Sequence, residues 1–250
     1  MKTSFLTYEK PLLTCMLQAD RPERVRELFQ KAQADGAEAY GMQFCHMKPQ
    51  YRTEVTYRSL FSLTETAPIY VTNYRYGKNQ NKTDDALADE LLELAACGAT
   101  LCDVMGDFFA PCDDQLTMDW EAIRKQRRLI DALHERGAEV MMSSHVFRFM
   151  PVERVLEMAR EHQRRGADIC KIVTGAANMT EQIENLRTIH LLKEQLGIPF
   201  LLLSVGECHL LRRVGAKLGN CMTLCVCEYD DFATKLQPLL SDMKNLRELL

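Results

Sequence analysis

The chain has 250 residues, 46% of them hydrophobic, and a formal net charge of −4. That length suits one α/β barrel better than two small domains, and the composition can fill one large core. The charge gives no basic field for nucleic acid; with no apolar leader in Met1-Lys2-Thr3-Ser4-Phe5 and no membrane-length run, a soluble, cytoplasmic protein is expected.

Apolar strand patterns and amphipathic helix patterns alternate from end to end. Residues 11–17 predict a first strand and 22–33 a helix with its charges on one face. Residues 39–44 predict the second strand, and the stretch from there to about residue 63 is poorly defined. A third strand, rich in β-branched and aromatic residues, falls at 68–73, with a polar sequel over 74–84. A helix over 85–97 leads to a fourth strand at 101–105, ended by Gly106. Residues 120–136 predict a helix closed by Gly137, and 139–143 a fifth strand. Pro151 opens the next helix at a position proline tolerates, Gly166 ends it, and the sixth strand carries Lys171. A helix over 179–196 stops at Gly197. Then come a strand at 199–204, a short helix at 210–218, a strand at 222–227 and a last helix over 237–250.

About eight strand–helix units without a linker predict a parallel sheet, and that count favours a closed (β/α)8 TIM barrel, a single domain over residues 1–250. No glycine-rich phosphate fingerprint follows the first strand. Of ten cysteines, several fall in predicted strands, among them Cys15, Cys170 and Cys225. Without the paired spacing of a zinc site, they read as buried structural thiols in a reducing compartment.

The sixth strand carries the main chemical signal. Lys171 sits within Ile169-Cys170-Lys171-Ile172-Val173. An ammonium in a buried strand is expensive unless paired or neutralised, and burial that lowers its pKa frees the amine to attack a carbonyl. The competing reading is a lysine whose head reaches a carboxylate or the strand's mouth. Barrel chemistry collects at the C-terminal strand ends. There the fifth strand ends Met141-Met142-Ser143-Ser144-His145, and the seventh ends Leu203-Ser204-Val205-Gly206, with Arg213 in the next helical turn. Amine, imidazole and guanidinium together suit a ketone bearing a carboxylate. Lys171 forms an imine, His145 moves protons, and Arg213 grips the carboxylate. Alone, His145 reads as a capping or surface histidine, and Arg213 beside Arg212 as a solvated helix residue. Their place on the rims of consecutive strands is what turns both toward the site.

At these residues the chain resembles the type I 3-dehydroquinate dehydratase family. Ser143-Ser144-His145-Val146-Phe147 resembles the family's serine-x-histidine strand end, and Asp168-Ile169-Cys170-Lys171 its aspartate-x-x-lysine. Ser204-Val205-Gly206 with Arg213 resembles serine-methionine-glycine and the arginine beyond it, and Leu218-Gly219-Asn220 echoes leucine-glycine-serine. The resemblance implies a TIM barrel and a Schiff-base hydro-lyase of the shikimate pathway that needs no metal or other cofactor. It makes Lys171 the imine-forming lysine, His145 the general acid/base and Arg213 a carboxylate ligand. The partner expected is a small keto carboxylate, with no nucleic acid or membrane, and barrels of this kind often form homodimers.

Several family positions differ here. The second strand's glutamate-x-arginine is Gly41-Met42-Gln43, and the third strand's threonine-x-arginine is Thr72-Asn73-Tyr74, with Arg75 one place late. The fourth strand's aspartate-x-glutamate is Asp103-Val104-Met105. The lid segment serine-alanine-proline-glycine-glutamine is Phe232-Ala233-Thr234-Lys235-Leu236, and Gln237 serves as the substrate-binding glutamine after a one-residue shift. The imine chemistry and one anchor are kept while much of the shell for ring hydroxyls is replaced, which reshapes specificity. Three readings stay open: a diverged dehydroquinate dehydratase, an imine lyase or aldolase for another keto acid, and a non-catalytic binding protein.

Overall fold

Strand follows strand around a common axis in chain order, each parallel to its neighbours, from β1 (Leu12–Leu17) and β2 (Ala39–Gln43) through β3 (Ile69–Thr72) and β4 (Leu101–Met105). β5 (Glu139–His145), β6 (Ile169–Gly175) and β7 (Phe200–Val205) continue it, and β8 (Met222–Cys225) pairs back onto β1. The computed structural model describes every residue except Met1, Tyr8, Thr234 and Leu250. Between β7 and β8, the Asn220 side-chain amide accepts from the Leu202 N–H at 2.8 Å and donates to the Leu202 carbonyl at 2.9 Å. Cys221 N–H donates to the Phe200 carbonyl beside it, at 2.9 Å. One side chain thus stands in for a stretch of missing ladder and closes the seam of a (β/α)8 barrel.

Side-chain alternation explains why these runs are apolar throughout. Inward residues such as Leu12, Leu101, Met141, Ile169 and Met222 fill the axis, while Leu13, Val71, Val104 and Val140 pack outward under the helices. Those helices are α1 (Pro22–Ala34), α2 (Glu54–Phe61), α3 (Asp84–Ala96), α4 (Trp120–His134), α5 (Val152–Arg165), α6 (Met179–Gln195), α7 (Leu211–Leu218) and α8 (Leu240–Leu249). Side-chain caps from Thr53, Thr83, Asp119 and Asn178 start α2, α3, α4 and α6 by accepting an otherwise unpaired helix N–H. Among the described residues, no helix is long and apolar enough to cross a membrane.

The predicted barrel is the observed one, with shifts of one or two residues at several element ends, β8 stopping at Cys225 among them, and further differences in three places. The poorly defined segment before residue 63 holds two short 3-10 turns and then α2, whose Tyr57, Leu60 and Phe61 are buried. β5 runs on to His145, because Ser144 and His145 still pair with Ile172 and Val173 of β6 although the apolar pattern has ended. The last helix starts at Leu240 rather than 237, after Pro238, while Val226 bridges to Leu239. Its predicted end at Leu250 lies outside the described residues.

Candidate active site

Lys171 lies on β6 with its neighbours Cys170 and Ile172 turned out to the helices, so its side chain points to the barrel axis. It is 5% exposed, and Nζ donates to Tyr74 Oη at 2.7 Å, to Tyr70 Oη at 2.9 Å and to Asp103 Oδ2 at 3.3 Å. Burial lowers the Lys171 ammonium below its ordinary value against the opposing pull of Asp103. Asp103, inward on β4, is 1% exposed and also accepts from Tyr70, Tyr74 and Ser143. Burial works to raise its carboxyl, but Lys171 and His145, helped by those hydroxyls, hold it below the usual range. A carboxylate so well solvated by donors stays charged and balances the ammonium.

His145, the last residue of β5, meets the Tyr74 ring edge-on at 5.0 Å between centroids. Burial, then the nearby Lys171 charge, push its imidazole down to about 3, so it is a neutral base at working pH. The strand end is clamped by Gln115, whose side-chain oxygen accepts the His145 N–H at 2.8 Å and whose carbonyl accepts Ser144 Oγ at 2.7 Å. Gln115 adopts a left-handed φ of 48° to do both.

Lys171, His145 and Gln237 all line one cavity of about 500 Å³ at the C-terminal mouth of the barrel. Arg213 does not. It borders a separate groove with Lys10, Lys217 and Arg247 on the outer side of β8, and it is Arg212 that lines the mouth. Successive residues on a helix point about 100° apart, so a one-residue difference in register is enough to swing a side chain from the mouth to the outer groove. Arg212 Nε donates to the Ser204 carbonyl at 3.0 Å, and no described carboxylate pairs with its guanidinium. Burial, then Arg213, lower it to about 10.

The replaced family positions have structural answers. A Cβ at Gly41 would stand 2.2 Å from Met16 Sδ, so the thioether of Met16 occupies that space. Gln43 lines the cavity and accepts a hydrogen bond from Gln18, whereas Met105 packs with the outer core. Thr72 Oγ1 and Gln18 Oε1, both buried at the cavity wall, have no hydrogen-bond partner among the described residues. Arg75 turns away from the mouth, forking onto Asp84 at 2.6 and 2.7 Å and onto Asp107 at 2.7 Å. Asp168 is structural: it accepts the Val140 N–H at 2.7 Å and pairs with His134. Phe232 and Leu236 line the rim, while Thr234 of the same segment lies outside the described residues.

Sequence reasoning left Tyr70, Tyr74 and Asp103 out of the site. The signal for Asp103 was present, since a lysine in one apolar strand calls for an acid in another, and Leu101-Cys102-Asp103-Val104-Met105 supplies it. The tyrosines carried no such mark, because phenols are ordinary in strands.

Comparison with known proteins bears on this arrangement. The sequence profile of the family described as Type I 3-dehydroquinase matches residues 45–250. A curated 3-dehydroquinate dehydratase of Syntrophotalea carbinolica is 32% identical over 112 residues, 42% of this chain and 44% of that protein. One from Alkaliphilus oremlandii is 27% identical over 125 residues, 49% of this chain and 48% of that protein. Each alignment therefore spans less than half of the relative's length. The crystal structure of 3-dehydroquinate dehydratase from Geobacillus kaustophilus superposes with a TM-score of 0.84 at 15% identity, covering 98% of this chain and 93% of that one, a likeness of fold. Since the profile runs through most of the barrel, with Asp103, His145 and Lys171 inside its span, this chain belongs to the type I 3-dehydroquinase family.

Proposed function

We propose that the protein is a Schiff-base lyase that removes water from a cyclic keto carboxylate, with 3-dehydroquinate as the first substrate to test and 3-dehydroshikimate as its product. The observation that carries this reading is a buried amine held by two phenols and one carboxylate, in a cavity also lined by Arg212, which has no carboxylate partner among the described residues. Neutral Lys171 adds to the ketone and expels its oxygen as water. The resulting iminium draws electrons from the adjacent C–H bond, whose proton neutral His145 accepts. His145 returns that proton to the departing hydroxyl on the next carbon, the C=C bond forms, and hydrolysis of the iminium frees Lys171. Arg212, rather than Arg213, holds the carboxylate, and Gln237 closes the rim.

Orphaned buried acceptors cost about 1–3 kcal/mol each, a cost that a ligand hydroxyl would remove. Thr72 Oγ1 and Gln18 Oε1 therefore support a hydroxylated substrate read by neutral groups in place of the family's charged pair. The same replacement favours a second reading, an imine lyase or aldolase for a different keto acid. The free state of all ten cysteines supports a cytoplasmic setting, and a homodimer is the assembly to test by sedimentation.

Borohydride trapping with 3-dehydroquinate, read by intact mass and peptide mapping beside a dehydration assay, tests the reading. A reduced adduct on Lys171 with turnover is expected, and Lys171→Met, apolar and of similar length, should lose the adduct and keep the fold. An adduct without turnover selects the second reading. An adduct that persists in Lys171→Met would show the nucleophile to be misassigned.

A further inference from the structure

Imine formation involves more proton traffic than attack alone. When the amine adds to the carbonyl carbon, the C=O π pair moves onto oxygen, the nitrogen must lose a proton and the oxygen must gain one. A second proton must then reach that oxygen before it leaves as water and the nitrogen lone pair completes C=N. Both hydrogens of the water come from Nζ. The group that moves them has to touch Nζ and also face the cavity where the carbonyl oxygen sits.

Among the described residues three groups accept hydrogen bonds from Nζ, and one of them lines the cavity. Tyr70 and Asp103 are 0% and 1% exposed and lie behind the lysine, whereas Tyr74 forms part of the cavity wall. Tyr74 Oη stands 2.7 Å from Nζ and donates its own proton to Asp103 Oδ2 at 2.6 Å. Its ring is fixed by stacking on Tyr76, 5.9 Å between centroids, and by the edge contact to His145. His145 makes no hydrogen bond to Nζ; its position suits the carbon-bound proton instead.

We propose that Tyr74 is a catalytic residue whose hydroxyl relays protons among Lys171 Nζ, Asp103 and the substrate's carbonyl oxygen, building and dismantling the carbinolamine. This rests on the imine reading above. In the first step the ammonium proton passes to Tyr74 Oη as the phenol proton passes to Asp103, leaving a neutral amine and a neutral acid. After attack, the new alkoxide takes the proton of Tyr74 as Tyr74 takes one from nitrogen. Asp103 then returns its proton through Tyr74 to the hydroxyl, which leaves as water. The cycle ends with an iminium beside the Asp103 carboxylate, so charge and protons balance. Burial, with Asp103 alongside, keeps the phenol protonated well above its ordinary range, which suits transfer by relay rather than by ionisation.

Tyr70 supplies a matched control. Its hydroxyl also touches Nζ, at 2.9 Å, and donates to Asp103, yet it is closed off from the cavity. The experiment compares Tyr74→Phe with Tyr70→Phe at the pH optimum of each. It reads the rate of adduct formation with 3-dehydroquinate by rapid quench into borohydride, and the exchange of ¹⁸O from water into its ketone. Tyr74→Phe should slow both by about 10²- to 10⁴-fold, the usual contribution of a positioned acid–base group, while calorimetric affinity for quinate stays within about threefold. Tyr70→Phe should lose less than about tenfold, since it removes only a supporting hydrogen bond. Equal losses in the two variants, or wild-type rates in Tyr74→Phe, would overturn the proposal. Absence of any Lys171 adduct in the wild-type protein would instead remove the imine reading beneath it.

Discussion

Among single residues, the Lys171–Asp103 pair shows how a costly group is kept in a barrel axis. An isolated buried ion costs several kcal/mol, and a carboxylate with four donors around it offsets that cost for both partners. The lysine was legible because its chemical type clashes with its apolar strand. The guanidinium was legible only to within one position, since Arg212 and Arg213 are both plausible until the helix phase is known. The phase gives a direct test. Arg212→Gln should raise the Michaelis constant for a keto carboxylate by about 10- to 100-fold, the size of a lost charged hydrogen bond. Arg213→Gln, on the outer groove, should stay within about twofold. Steady-state kinetics on the pair decides it, and the reverse ranking would return the anchor to Arg213.

At the level of elements, strands were read well and their ends less so. β4 appears at its predicted bounds because an apolar run between two glycines, Gly98 and Gly106, leaves little choice. β5 outlasts its apolar pattern, because hydrogen bonding to β6 continues where side chains turn polar at the mouth. α2 went unread: it has only two turns, and Pro49 and the 3-10 turns before it break the local period. Gly41 in β2 is the clearest case of an element shaped from outside. Glycine weakens a strand, and here its missing Cβ is what admits Met16. Gly41→Ala should therefore push the thioether into the cavity and cost about 1–3 kcal/mol by overpacking. Met16→Ala in that background should recover part of the loss. Thermal unfolding of the two variants checks this, and a neutral Gly41→Ala would mean that Met16 relocates without cost.

Over the whole molecule, two buried histidines add to the response to acid. His162, on α5, is 0% exposed between Ser144 and Cys170, and burial, then Arg165, lower it to about 3, as burial and Lys171 do for His145. The unfolded chain binds these protons near pH 6.5, and the folded chain does not until far lower. Their contribution to stability is thus whole above about pH 6.5 and is lost as pH falls toward 3. Urea unfolding followed by circular dichroism should give a free energy that is level near pH 7–8 and declines below 6.5. His145→Asn should lessen the slope by about one proton, or about 1.4 kcal/mol per pH unit. An unchanged slope would mean that His145 titrates alike in both states. By itself the sequence determined the parallel barrel and marked Lys171 and His145 as candidates at its mouth, because periodicity and a buried charge are properties of neighbouring residues. Only the tertiary structure decided which arginine faces the mouth, that Tyr70, Tyr74 and Asp103 surround Lys171, and that Met16 fills the space beside Gly41. Those depend on helix phase and on contacts between strands far apart in the chain, which no local pattern encodes.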